Sequence, residues 1–131
     1  MSRSYRDLLV WQKARRLAVE ICRATEKFPK SELYGLTSQV RRASVSVVSN
    51  IAEGQGRLTK GEFRHFLGQA RGSLLEMETQ LEIASELGYV DARCHDSLEQ
   101  QAYEVLGLLN RLLSSLRIAT ASAETLKPAK P

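Results

Sequence analysis

Cysteine, proline and glycine are scarce in this chain, with 2 Cys, 3 Pro and 8 Gly in 131 residues. So little glycine and proline excludes a collagen-like fibre, and two isolated cysteines exclude a secreted disulfide scaffold. No apolar run approaches the roughly 20 residues that cross a bilayer, and the N-terminus lacks the apolar stretch of a secretory signal. The sequence therefore predicts a cytoplasmic protein with reduced cysteines and no membrane segment.

The composition that remains is that of a globular domain. Hydrophobic residues make up 43% of the chain and charged residues 26%, and the length suits one hydrophobic core. The formal net charge of +4 is modest. Net charge alone therefore does not indicate a nucleic-acid partner.

Apolar residues recur at spacings of three and four in four successive segments, which is the period of amphipathic helices. The predicted stripes run from Val10 to Phe28, from Leu33 to Asn50 or Ile51, from Phe63 to Ala84 and from Leu98 to Leu116. No segment shows the alternation of a strand. The sequence therefore predicts an all-α protein.

Polar residues and glycines mark the predicted ends of these segments. Ser31, Thr59 and Asp91 are the predicted N-caps of the second, third and fourth helices, and Glu62 completes a capping-box spacing with Thr59. Gly54 and Gly56 are predicted to end the second helix by supplying positive φ angles.

The predicted connections near residues 29–31, 55–58 and 88–90 are short, and short connections force consecutive helices to be antiparallel. The expected architecture is an up-down-up-down four-helix bundle over residues 1–119. Residues 120–131, rich in Ala, Ser, Thr, Lys and Pro, are expected to be a flexible tail.

A second group of apolar residues does not fit the four stripes. It could widen the core faces of the helices, or it could be buried between subunits. Its members are Trp11, Val45, Val48, Leu75, Ile83, Leu106, Leu108 and Leu113.

Antiparallel folding redistributes the charges. The half formed by residues 1–17, 42–71 and 108–131 contains 14 Lys and Arg against 4 acidic residues, a net charge of +10, and the other half has −6. This folding is expected to place Arg41 and Arg42 level with Arg71, and Arg15 and Arg16 beside Ala43. A pole of that charge would attract phosphate, but a solvated surface and the orientation of subunits are alternative explanations.

The residues expected to contact nucleic acid are basic and lie off the predicted core. They are Arg41, Arg42, Arg64, Arg71, Lys60, Arg57, Arg15 and Arg16. Four other residues receive structural roles. Asn50 is expected to be a core-facing amide bonded to a neighbouring helix or to Gln80, and Glu53 an ion-pair partner of Arg57. Gly54 is assigned to the turn, and Gly72 to a close approach to the second helix or to another subunit.

No catalytic, cofactor or metal site is predicted. The chain has no nucleophile-elbow pattern, and the glycines of the turn at 53–57 follow a helix and lack a Walker lysine. His65 and His95 are expected at opposite ends of the bundle, without a Cys or carboxylate at ligand spacing. Glu78 and Glu82 share a helical face, but no Glu-x-x-His motif that faces the predicted core accompanies them, as a di-iron bundle would need. The expectation is a protein without enzymatic activity.

Several motifs occur in order at characteristic separations: residues 7–14 (DLLVWQKA), 28–43, 49–57 (SNIAEGQGR), 66–81 and the Gly88-Tyr89 pair. Together they resemble the bacterial four-helix-bundle family encoded in intervening sequences of 23S ribosomal RNA genes, over about residues 5–117. That family is similar to the accessory protein of diversity-generating retroelements. The resemblance implies a homopentameric barrel, nucleic-acid binding and a protein partner such as a reverse transcriptase. A scaffold or adaptor without a nucleic-acid role is the alternative.

Overall fold

The computed structural model describes residues 4–117, and all regular secondary structure within them is helical. The four long helices are α1 (Leu9–Ala24), α2 (Leu36–Gln55), α3 (Lys60–Glu86) and α4 (Ala92–Ser115). Single 3-10 turns occupy Tyr5–Asp7, Thr25–Lys27 and Lys30–Glu32. The all-α prediction is confirmed for this part of the chain, whereas the predicted tail at 120–131 lies outside the described residues.

Consecutive helices run antiparallel, as the short connections predict. Ser46 of α2 hydrogen-bonds Ser73 of α3, whereas Gly54, further along α2, lies against Phe63, earlier in α3. Contacts that run in opposite order along the two chain segments also link the other neighbours. Between α1 and α4 they are Lys13–Glu104 and Glu20–Gln101, and between α3 and α4 they are Glu82–His95 and the bond from the Arg64 side chain to the Leu113 carbonyl. The α2–α3 contact is the most extensive.

The predicted apolar stripes converge on one core. Its fully buried members come from all four helices and include Leu17, Ile51, Leu74, Met77 and Leu109. Full burial of each large aliphatic side chain is worth about 1.5–3 kcal/mol, so the core is the main source of stability. No helix in residues 4–117 combines the length and hydropathy needed to cross a membrane.

Two of the three predicted N-caps are confirmed. The Thr59 hydroxyl accepts a hydrogen bond from the Glu62 backbone N–H at 3.1 Å, and Asp91 Oδ1 accepts one from the Cys94 N–H at 2.8 Å. The third is wrong, because α2 begins five residues after Ser31, at Leu36. The Glu32 carboxylate accepts the Leu36 N–H instead, at 3.1 Å.

The glycines near the end of α2 do not act as predicted. Only Gly88 has a positive φ in the described chain, and Gly56 has a φ of −82°. Gly54 is buried within α2, and a Cβ there would lie 2.9 Å from both Phe63 Cδ1 and Phe66 Cβ. Gly54 therefore permits close packing of α2 on α3, whereas Gly88 provides the turn after α3.

The apolar residues outside the four predicted stripes are expected either to widen the core or to be buried between subunits, and they fall into two sets. Trp11, Val48, Leu106, Leu108 and Leu113 are partly buried against the core and widen it. By contrast, Val45, Leu75 and Ile83 leave 40–49% of their surface exposed.

Candidate nucleic-acid interface

The bundle has two ends that differ in the charges they contain. The hydrogen bond between Ser46 and Ser73 marks a level near the middle of α2 and α3. We define the α2–α3 end as residues 4–17, 46–73 and 105–117, which surround the turn between these two helices. The α3–α4 end comprises residues 18–45 and 74–104.

The α2–α3 end contains ten basic and three acidic residues, a net charge of +7. The acidic residues are Asp7, Glu53 and Glu62, and the basic residues are Arg6, Lys13, Arg15, Arg16, Arg57, Lys60, Arg64, Arg71, Arg111 and Arg117. The α3–α4 end contains six basic and eleven acidic residues, a net charge of −5. Eight of the ten basic residues at the α2–α3 end are arginines, whose planar guanidinium suits bidentate contact with phosphate.

A basic groove lies along the start of α1. It is lined by Arg6, Lys13, Arg15 and Arg16, with Trp11 and Gln12 between them. The guanidinium carbons of Arg6 and Arg15 lie 5.9 and 5.5 Å from the centre of the Trp11 ring system. The ring thus holds two exposed cations in place through cation–π contact.

Three of the predicted contact residues at the α2–α3 end form ion pairs or hydrogen bonds within the fold. Arg57 pairs with Glu53 at 2.9 Å, which confirms the expected ion pair, and its guanidinium lies 4.6 Å from the Phe66 ring centre. Arg64 Nε donates to the Leu113 carbonyl at 3.2 Å, and Arg71 Nε donates to Asn110 Oδ1 at 2.9 Å. These Arg64 and Arg71 bonds use one N–H each, and a guanidinium has five, so both side chains keep N–H donors for further hydrogen bonds.

Arg41 and Arg42 are not level with Arg71, so that prediction is wrong. Arg41 Nε donates to Thr25 Oγ1 at 2.7 Å, just beyond the end of α1, and Arg42 is one residue further along α2. The register set by Ser46 and Ser73 puts both arginines six or seven residues, or about 9–10 Å, from the level of Arg71.

The same register corrects the predicted position of Arg15 and Arg16. Arg41 lies beside the end of α1, near Thr25, and α2 runs back along α1 from there. Arg15 and Arg16 therefore lie level with residues near 49, not beside Ala43. Both stay exposed at the α2–α3 end, as does Lys60.

Two structural roles are also corrected. Asn50 is only partly buried and donates to the Ser46 carbonyl at 2.9 Å within its own helix, because Ile51 occupies the core position. Gln80, its expected partner, donates to Glu76 instead. Gly72 is not packed closely against α2, because a Cβ built at this position would meet no atom within 4 Å.

The prediction that His95 has no carboxylate at ligand spacing is wrong. His95 Nε2 lies 3.3 Å from Glu82 Oε1, and Glu82, His95 and Glu99 each offer a donor atom within 4.8 Å of the others. Glu99 follows His95 by four residues, so this helical spacing was visible in the sequence, but the pairing with Glu82 depends on the α3–α4 register. Burial and the negative charge of Glu99 raise the pKa of Glu78, one turn before Glu82.

Cys94 is not an activated nucleophile. Cys22 and Cys94 are both free and half-buried. Burial, reinforced by the charge of Asp91, raises the pKa of the Cys94 thiol. The protonated thiol is therefore the dominant form at neutral pH.

Comparison with known proteins identifies the family. The family model described as "23S rRNA-intervening sequence protein" matches residues 6–111. A search of curated proteins finds no significant match. A crystal structure of a protein of unknown function from the S23 ribosomal protein family of Bacteroides thetaiotaomicron superposes with a TM-score of 0.73. The two chains are 21% identical, and the match covers 80% of this chain and 98% of the other. The fold is thus shared with a solved relative, and the chain belongs to the family of 23S rRNA-intervening sequence proteins.

Proposed function

We propose that this protein is a non-enzymatic homo-oligomer that binds the backbone of RNA or DNA through its α2–α3 end. The observation that carries the proposal is the concentration of ten basic residues against three acidic ones at that end. Binding of this kind neutralises phosphates and releases counterions, so it depends steeply on salt and only weakly on base sequence.

The exposed side chains favour backbone contact over base recognition. Arg15, Arg16 and Lys60 project from the α2–α3 end without an ion pair among the described residues. Trp11, the large aromatic ring nearby, is already covered by Arg6 and Arg15. The groove therefore offers cations for phosphate and little aromatic surface on which a base could stack.

Filter binding at a series of salt concentrations tests the proposal. A triple variant, Arg15→Glu, Arg16→Glu and Lys60→Glu, is expected to weaken binding more than tenfold and to flatten the log–log salt slope by about 2–3. The matched control reverses Arg23, Arg42 and Arg93, three exposed cations of the α3–α4 end, and changes the net charge equally. Equal losses in both variants would show that only overall charge matters, and a wild-type slope near zero would refute the proposal.

Oligomerisation, implied as a pentamer by the family resemblance, has support on the outer face of α3. Gly68, Gly72, Leu75, Thr79 and Ile83 follow one another at helical spacing and are all exposed. Two glycines with no atom near their Cβ positions would let a second subunit approach closely. Light scattering of the wild type should give a mass that is a multiple of 14.7 kDa. The double variant Leu75→Glu, Ile83→Glu should give the mass of a single chain.

A scaffold for a protein partner, such as a reverse transcriptase, is the second candidate function. The contacts of Arg57, Arg64 and Arg71 within the fold favour it, because these arginines then stabilise the bundle instead of serving only to bind phosphate. Absence of nucleic-acid binding even at low salt, in a protein that still oligomerises, would select this function.

A further inference from the structure

The α3–α4 end carries a cluster of potential metal ligands that the proposed nucleic-acid binding does not use. Glu82 belongs to α3, and His95 and Glu99 occupy one face of α4 because they are four residues apart. The donor atoms of all three residues lie within 4.8 Å of one another. We propose that Glu82, His95 and Glu99 form a binding site for one divalent transition-metal ion of the zinc type.

The observed spacing suits such an ion. Zinc bonds imidazole nitrogen and carboxylate oxygen at about 2.0–2.2 Å, so two ligands of a tetrahedral ion are separated by about 3.3–3.6 Å. His95 Nε2 and Glu82 Oε1 are 3.3 Å apart. These two atoms can therefore bind one ion with little movement of either helix, and the exposed Glu99 carboxylate can complete the set.

The imidazole is the most constrained of the three ligands. The His95 side chain is 12% exposed, against 56% for Glu82, so the ring is already held between the helices. Asp96 Oδ1 lies 3.9 Å from the other ring nitrogen, Nδ1. With a metal ion on Nε2, the imidazole keeps its proton on Nδ1, where the Asp96 carboxylate attracts it.

The surroundings have an excess of negative charge. Within residues 4–117, no lysine or arginine forms an ion pair with Glu78, Glu82 or Glu99. The carboxylate oxygens of Glu82 and Glu99 lie within 4.8 Å of each other, so the two negative charges repel. A cation would relieve that repulsion, and the net charge of −5 at this end would attract it.

One imidazole and two carboxylates also indicate which ion is bound. Magnesium and calcium prefer oxygen ligands alone, whereas zinc and cobalt accept imidazole readily. Three protein ligands leave a fourth coordination position for water. One of the three, Glu99, also lines an open groove with Glu78 and Asp96.

Calorimetric titration of the full chain with ZnCl2 tests the site, with thermal unfolding as a second readout. We expect one zinc per chain, a higher Tm with zinc, and no comparable effect of MgCl2. His95→Ala and Glu99→Gln should each weaken zinc binding at least about tenfold, because each removes a ligand. The matched control is His65→Ala, which removes the exposed histidine at the opposite end and should change the affinity less than about twofold.

Four results would overturn the proposal: no zinc binding by the wild type, equal loss in His65→Ala, equal binding of magnesium, or half a zinc per chain, which indicates a site between molecules. If the His95→Ala variant loses its helical circular dichroism, the zinc affinity of Glu99→Gln alone tests the site, because the exposed Glu99 side chain is not part of the core. Zinc binding and nucleic-acid binding are measured separately, so either proposal can fail without the other.

Discussion

Tyr89 Oη donates a hydrogen bond of 2.9 Å to Glu32 Oε2 and so ties the connection after α3 to the one before α2. The other Glu32 oxygen accepts the first free N–H of α2, from Leu36. One carboxylate thus caps a helix and joins two connections that are 57 residues apart in sequence.

We expect the stabilising effect of Glu32 to depend on pH. The Leu36 and Tyr89 hydrogen bonds lower the pKa of the Glu32 carboxyl below its ordinary value of 4.5. A lowered pKa in the folded state stabilises the protein above pH 4.5, and the effect disappears as the pH falls through the folded-state value. Urea unfolding of the wild type and Glu32→Gln should therefore differ most near neutrality and converge in acid. A difference that does not change between pH 3 and 7 would contradict this assignment.

Tyr89 should show the opposite pH dependence. Its hydrogen bond to Glu32 raises the pKa of the phenol above 10.0. A raised pKa stabilises the fold below pH 10, and this contribution is lost as the pH rises through the folded-state value. Tyr89→Phe should therefore be less stable than the wild type at pH 7 and approach it in alkali. Spectrophotometric titration of the phenolate provides a direct check.

Gly54 and Gly107 should respond oppositely to alanine. Gly54→Ala forces a Cβ to within 2.9 Å of two phenylalanine side chains, and such overpacking costs about 1–3 kcal/mol. Gly107→Ala adds a methyl group in open space on α4 and should stabilise the helix by about 0.5–1 kcal/mol. Thermal unfolding of both variants measures the difference. Equal effects would show that α2 and α3 are less closely packed at Gly54.

The cap residues provide a third comparison. Thr59→Ala and Asp91→Ala each remove a side-chain acceptor from a helix N-terminus and should cost about 1 kcal/mol. Ser31→Ala is the control, because Ser31 is exposed and precedes α2 by five residues, so its effect should stay within about 0.5 kcal/mol. A large loss in Ser31→Ala would mean that α2 begins earlier in solution.

A core leucine and a surface leucine provide a fourth comparison. Leu74 is fully buried between the helices, whereas Leu58, in the α2–α3 turn, is 97% exposed. Leu74→Ala should lower the free energy of unfolding by about 2–5 kcal/mol, because it removes buried methyl groups and leaves a cavity. Leu58→Ala removes the same atoms from a solvent-exposed position and should change the free energy of unfolding by less than about 0.5 kcal/mol. Chemical denaturation at one protein concentration measures both.

Much of the fold was predictable because helical periodicity is local. Each of the four predicted stripes forms a helix, although α1 ends at Ala24, before Phe28, and α2 begins at Leu36, after Leu33. Thr59 and Asp91 cap α3 and α4 as expected. The start of α2 was not predictable from Ser31, since the carboxylate that satisfies Leu36 is positioned by a contact with Tyr89. The candidate site was predicted less well. Six of the eight proposed contact residues lie at the α2–α3 end, and Arg41 and Arg42 do not.

Sequence by itself determined where the helices lie, which faces they bury and which way each runs relative to the next, because periodicity, caps and short connections act over a few residues. The tertiary structure alone decided the axial register of one helix against another. That register is set by how side chains such as Gly54, Phe63 and Ser46 pack across an interface, and a shift of one turn moves a residue by about 5.4 Å. It is this packing that carries Arg41 to the end of α1 and brings Glu82 to His95.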